Sequence, residues 1–318
     1  MTDYILDFEK PIAELERQIR EMKEYSEAEH VEISQELERL EQKAVKMRRE
    51  VYSKLSRWQR LQIARHPQRP YTRDYIDRIT TSFTELHGDR AFGDDPAIIA
   101  GIGKIDNRKL AIIGHQKGRT TKQKLNRNFG MPHPEGYRKA LRVMKLAEKF
   151  SRPILCLIDT PGAFPGIGAE ERGQAESIAR NLFEMSRLRT PIVIVVIGEG
   201  ASGGALGIGV GDRILMMENT WYSVISPEGC AAILWHDSTK AKQAAEAMKL
   251  TATDLLEIGV IDKAVVEPLG GAHQNYDDAA RILKENVTAE FDELGKMSPD
   301  VLVETRLEKY AKMGRFTE

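Results

Sequence analysis

The segment IGEGASGGALGIG, from Ile197 to Gly209, follows the apolar run PIVIVVI. Within it Gly198, Gly200 and Gly203 spell G-x-G-x-x-G, and Glu218 lies twenty residues past Gly198. A strand, a glycine triplet and a distant acid are the marks of a dinucleotide site. The surroundings argue otherwise. A dinucleotide turn opens a helix of several turns that returns to the next strand. Here the next strand starts near Asp212, nine residues after Gly203, and the intervening ALGIGVG holds three glycines that weaken any helix. The helix must be short, and no nicotinamide or flavin site is expected.

A second glycine-rich turn, DTPGAFPG (Asp159–Gly166), also follows an apolar strand and precedes a helix. Its first four residues match the magnesium-and-switch segment of GTP-binding proteins. The phosphate loop G-x-x-x-x-G-K-[ST] that those proteins need is missing from the chain. Asp159 then reads as a cap of the following turn. Two such turns, with ISPEG (Ile225–Gly229) after a further strand, suggest a different use. Each presents unpaired N–H groups at the positive end of a helix, and glycine lets a ligand approach the backbone. Two donors aimed at one point make an oxyanion hole. The alternative is that the glycines only permit close helix–sheet packing.

Outward from these turns the chain alternates short apolar runs with helical stretches. AIIAGI, LAIIG, PILCLID, IVIVVI, RILMM, WYSVIS and VIDKAVV read as strands, several apolar at consecutive positions. That pattern predicts burial on both faces under flanking helices. Glu135–Phe150, Glu170–Arg187, Asp277–Leu294 and Pro299–Met313 read as helices, with Ile282, Leu283, Val287, Phe291 and Leu294 on one stripe. Residues 1–80 differ, being rich in Glu, Lys and Arg. Ile12, Leu15, Ile19 and Met22, then Leu37, Leu40, Ala44, Met47 and Val51, repeat with heptad spacing. The phase breaks at Tyr25–Val31, so a helical hairpin is expected, ended by the prolines of HPQRPY (His66–Tyr71). Residues 81–318 form the α/β domain.

Of 318 residues, 47 are basic and 48 acidic, which gives no general drive toward nucleic acid or a membrane surface. Cys156 and Cys230 sit in apolar stretches and are expected as buried thiols, neither a disulfide framework nor zinc ligands. No signal peptide and no run of eighteen apolar residues is found, so a cytoplasmic protein is expected.

The order D-T-P-G-A-F-P-G, G-A-S-G-G-A-L, S-P-E-G-C-A resembles the crotonase-like carboxyltransferases. GHQKGR (Gly114–Arg119), RNFGMPHPEGYRKALR (Arg127–Arg142), GAEERGQAESIARNL (Gly168–Leu182) and EPLGGAH (Glu267–His273) narrow it. The chain is similar, over essentially its whole length, to the alpha subunits of bacterial multi-subunit acetyl-CoA carboxylase carboxyltransferase. The resemblance implies a crotonase-like spiral of ββα units with a helical N-terminal extension and C-terminal helices. It implies transfer of a carboxyl group from carboxybiotin to acetyl-CoA, giving malonyl-CoA for fatty-acid synthesis. Biotin arrives in trans on the biotin carboxyl carrier protein, loaded by biotin carboxylase. A zinc-containing beta subunit completes an α2β2 complex and supplies most of the coenzyme A side. No metal is expected in this chain, and AMK at Ala247–Lys249 lacks the following Met of a biotinylation site.

By the same resemblance Gly203 and Gly204 are the leading oxyanion donors, with Ala205 next and Gly162 and Ala163 from the other turn. Lys117, Arg119, Lys122 and Phe164 are candidate substrate contacts. Lys117, Arg119, Lys122, Lys124 and Arg127 form a basic stretch without an acid, read either as contacts to coenzyme A phosphates or as a solvated or subunit-facing surface. No aromatic residue interleaves them, so no nucleic-acid partner is expected. Ser202 has no His placed to activate it and is expected to cap a helix. Two competing readings are a hydratase or isomerase on the same scaffold, with Glu228 as acid or base, and an assembly scaffold with a dead site.

Overall fold

A computed structural model describes residues 4–29 and 34–314. Helices α1 (Lys10–Glu29), α2 (Ser34–Tyr52), α3 (Arg57–Ala64) and α4 (Thr72–Ile79) come first. Strands β1 (Ser82–Glu85), β2 (Ile98–Ile105) and β3 (Arg108–His115) follow, then α5 (Thr121–Asn126) and α6 (Pro134–Lys149). Next are β4 (Ile154–Thr160), α7 (Ile167–Glu171), α8 (Gln174–Met185), β5 (Ile192–Ala201), α9 (Ser202–Leu206), β6 (Arg213–Met217) and β7 (Trp221–Ser223). The chain ends with α10 (Pro227–Trp235), α11 (Ala241–Met248), α12 (Ala252–Glu257), β8 (Lys263–Val265), α13 (Tyr276–Leu294) and α14 (Pro299–Ala311). Among the described residues no helix is long and apolar enough to cross a membrane.

One sheet runs in the order β1-β2-β3-β4-β5-β6-β8, with β7 added to the far end of β5. The first pairs are antiparallel and the rest parallel. Every residue of β4 and β5 is buried, as continuous apolar runs predict. Side chains alternate between two cores. Ile113, Cys156, Ile158, Ile194 and Val196 pack with α6 and Leu182 of α8. Ile112, Leu155, Leu157, Val193 and Val195 pack with α4 and α13 on the other face. The predicted α13 stripe is the one buried there, with Ile282 at its edge.

The heptad residues pair as expected. Leu15, Ile19 and Ala44 are buried with Leu37, Leu40 and Met47 between α1 and α2. Ion pairs Arg48–Glu16 and Lys23–Glu41 flank this seam. The turn itself lies outside the described residues. Several expectations need correction. Glu170–Arg187 is not one helix: Gly173 takes a left-handed φ of 84° and separates α7 from α8. Helix resumes after the prolines of HPQRPY as α4, because Thr72 onward buries an apolar face on the sheet. Cys156 is buried, but Cys230 on α10 is only partly so.

Candidate functional site

The site forms where β4 and β5 end side by side. Their register slips between Ile158 and Thr160, so that β5 carries extra residues around Gly198. A side chain at Gly198 would overlap the Asp159 carboxylate, which instead accepts the Glu199 N–H at 3.0 Å. The first glycine of the apparent dinucleotide pattern is therefore room for Asp159. Asp159 ties two strand ends together and does not cap its own turn.

Both predicted turns meet just beyond. The backbone of Gly204 lies against the other turn, and a Cβ there would fall 2.8 Å from Gly162 Cα and closer still to Gly162 C and Ala163 N. Only a hydrogen fits. The Gly204 carbonyl accepts from His115 Nε2 at 3.2 Å and Tyr137 Oη at 3.2 Å. Because His115 Nδ1 faces the Asp159 N–H at 3.4 Å, the ring proton sits on Nε2. Burial pushes the His115 pKa down to about 3, so the ring is neutral. These bonds fix α9, whose first N–H groups have no partner within the helix. Ser202 is the first residue of α9, exposed, with a left-handed φ of 57°. The N-cap position falls on Ala201 and no side chain caps the helix, which corrects the capping role expected of Ser202.

The first turn is held differently. Thr160 Oγ1 accepts the Gly162 N–H at 3.1 Å and faces the carbonyls of Gly130 and Gly162, each at 2.7 Å. Gly162 has a φ of 150°, and a Cβ on it would meet nothing within 4 Å. Phe164 stacks on His133 at 4.2 Å between centroids, and its carbonyl accepts from Gln174 Nε2 at 2.9 Å.

Beneath the turns lies a chain of charges. Lys117 Nζ is 2.7 Å from Asp159 Oδ1 and 2.6 Å from Glu199 Oε2. Arg65 continues it, 2.6 Å from Glu199 Oε1 and 2.6 Å from Glu228 Oε1. Burial opposes charge on Lys117, but Asp159 and Glu199 outweigh it and raise its pKa. Burial likewise opposes charge on Glu199, and Lys117 and Arg65 hold it below the usual range. Glu228 is also held low, its own burial being offset by Arg65. An ionised Glu228 locked to Arg65 is a poor general acid.

The basic stretch is thus not one surface. Lys117 is inside, between two carboxylates, and is not free for a phosphate. Arg119 is bonded to Asp74 at 2.7 Å and lies 4.5 Å over the Tyr71 ring. Arg127 donates to the Pro96 carbonyl at 2.5 Å. Lys122 and Lys124 point outward on α5. Arg65, His115, Tyr137, Thr160 and Glu199 were not picked out by sequence reasoning. A signal was present: Asp159 and Glu199 are acids at the ends of fully apolar strands, and buried acids demand partners.

The match to known proteins decides the family. The family model for acetyl co-enzyme A carboxylase carboxyltransferase-like proteins covers residues 5–314. The chain belongs to this family. It is 57% identical over 317 residues to the acetyl-coenzyme A carboxylase carboxyl transferase subunit alpha of Geobacter metallireducens, covering 100% of this chain and 99% of the relative. It is 58% identical to the subunit of the same description from Methylococcus capsulatus, covering 98% of each. Among solved structures, transcarboxylase 12S aligns with a TM-score of 0.59 at 16% identity over 78% of this chain and 43% of that one. The Pseudomonas malonate decarboxylase heterodimer aligns with a TM-score of 0.59 at 13% identity over 75% of this chain and 94% of that one. At those identities the likeness is one of fold. The sheet described above is thus of the crotonase-like kind that those carboxyltransferase and decarboxylase chains carry.

Proposed function

We propose that this chain is the alpha subunit of an acetyl-CoA carboxylase carboxyltransferase and moves a carboxyl group from carboxybiotin to acetyl-CoA. The observation that carries this reading is the contact of Gly204 with Gly162 and Ala163, which brings the backbones of the two glycine-rich turns to one place. The reaction breaks the N–CO2 bond of carboxybiotin, removes a methyl proton from acetyl-CoA and forms the C–C bond of malonyl-CoA. Negative charge develops on two oxygens, and both need donors in a dry site.

Biotin, delivered by its carrier protein, supplies the carboxyl group and the nitrogen that takes the methyl proton. The open side of Gly162, which a side chain would fill, fits the approach of a flat ring. In this chain Gly203 and Gly204, with Ala205, are the donors to the ureido oxygen. The Ala163 N–H serves the second oxygen, together with a beta subunit that brings the coenzyme A side; the Gly162 N–H is taken up by Thr160 Oγ1 at 3.1 Å, so Gly162 gives room and not a donor. Phe164 packs beside the acyl group. Lys122, exposed on α5, is the candidate contact to the phosphates; Arg119 reaches them only by leaving Asp74, and Lys117 is structural. The apolar residues Val224, Ile233 and Leu234 are 79%, 66% and 63% exposed around α10, a surface that calls for cover in an assembly. An α2β2 complex with the zinc-containing beta subunit fits that need.

The test is malonyl-CoA decarboxylation with biocytin as acceptor. The isolated chain should be inactive, and co-purification with the beta subunit should restore turnover. Robust activity of the chain alone, or hydration of crotonyl-CoA by it, would overturn the assignment.

A further inference from the structure

Away from the glycine turns, a cavity of about 550 Å3 lies where the start of the chain meets the body. Tyr4, Glu9, Arg48, His66 and His273 line it. We propose that Glu9, His66 and His273 form a binding site for a divalent transition-metal ion of the zinc type, which pins the N-terminal segment to the rest of the fold.

The donors come from three distant parts of the sequence. Glu9 ends the 3-10 turn Asp7–Glu9, His66 follows α3, and His273 lies in the loop before α13. One ligand atom from each lies within 4.8 Å of the others. The two imidazoles stack with centroids 4.0 Å apart, and Glu9 Oε1 is 3.8 Å from His273 Nε2. Zinc bonds of about 2.0–2.1 Å in a tetrahedral shell place donors about 3.3 Å apart, and imidazole lone pairs lie in the ring plane, so closing the site takes a contraction and a turn of one ring out of the stack.

His273 is the independent observation. Its side chain is 2% exposed, and among the described residues neither ring nitrogen has a hydrogen-bond partner. Native proteins rarely leave such groups unpaired in the interior. His66 is placed for ligation too. A histidine ligates as neutral imidazole, so binding through Nε2 moves the ring proton to Nδ1, and parts Nε2 from the Tyr4 carbonyl, now at 3.0 Å, and Nδ1 from the Gln68 N–H, now at 3.2 Å. The Glu9 carboxylate is already oriented by the Leu6 N–H at 3.0 Å and the Tyr52 hydroxyl at 2.5 Å, as second partners orient ligating carboxylates.

The electrostatics agree. Arg48 is paired with Glu16 and Arg69 with Glu267, which leaves the charge of Glu9 to face a cation. Two nitrogen donors and one oxygen select zinc, cobalt or nickel over magnesium or calcium, which take oxygen shells. The sequence reading found no zinc ligands because the donors share no local spacing.

The experiment uses the purified full-length chain without its partner, so that a beta-subunit zinc cannot contribute. The chain is stripped with a chelator and titrated with Co2+, and visible absorption and bound metal per chain are followed. One equivalent with the absorption of a four- or five-coordinate ion is expected. Zn2+ should displace it and raise the melting temperature by a few degrees. His273→Gln and Glu9→Gln should each lower the affinity by at least tenfold. Substoichiometric binding, or unchanged binding in both variants, would overturn the site. The wild-type titration decides the matter even if a variant fails to fold.

Discussion

The two glycine-rich turns have similar composition and sit on neighbouring strands, yet their glycines serve different physical needs. At Gly162 the need is conformational: φ is 150° and there is open space where a side chain would go. At Gly204 the backbone is ordinary and the need is steric, because the other turn occupies the space. The first turn is held at Gly162 by the Thr160 hydroxyl and at Phe164 by Gln174 and the Pro132 carbonyl, while the second is fixed through the Gly204 carbonyl by His115 and Tyr137. One turn is built to receive something, and the other is built to be held.

Gly204→Val should do the most damage. Its methyl groups force the turns apart and turn the donor away, so kcat in the assembled complex should fall by roughly 100-fold or more, the scale of one lost oxyanion donor. Co-purification with the beta subunit should persist, since the lesion is local. Wild-type turnover by an assembled variant would erase the distinction between the turns.

Lys117→Met comes next. It leaves the carboxylates of Asp159 and Glu199 buried without their shared cation, a change that typically costs about 3–5 kcal/mol. Urea unfolding should register that loss. The KM for malonyl-CoA should stay near the wild-type value, whereas a residue that held a phosphate would raise it.

Much of this arrangement could be read before any coordinates. Consecutive apolar residues in PILCLID and IVIVVI implied strands covered on both faces, and the heptads implied the hairpin, because both signals are local and periodic. Both turns were visible as glycine clusters after strands. Their mutual contact was not, since it depends on how β4 and β5 pair and where their register slips. Nor was the partner of Lys117 visible, because Asp159 and Glu199 approach it only in the folded sheet. Helix α10 was missed for another reason: its apolar residues do not keep to one face, and Ile233 and Leu234 stay exposed.

Gly162→Ala sharpens the comparison from the other side. A Cβ fits there, so the cost is backbone strain of about 1–3 kcal/mol. Stability should fall modestly, and the rate by roughly tenfold, well short of Gly204→Val. A larger loss than at Gly204 would reverse the roles given to the two turns. The smallest effect is expected at Lys122. Lys122→Ala should raise the KM for malonyl-CoA a few-fold at low salt, leave that for biocytin alone, and fade as salt screens the exposed charge. An equal change for both substrates would place Lys122 on an unrelated surface.

Gly204 also has a consequence for how such a chain changes over generations. Every codon change there that alters the residue adds at least one carbon, and the backbone of Gly162 and Ala163 leaves no room for it. The position has no tolerated neighbours in sequence space, so it cannot drift by small steps. Gly162 can at least be approached through alanine. Lineages descending from this chain can therefore remodel the receiving turn gradually, but can alter the held turn only by moving both strands at once.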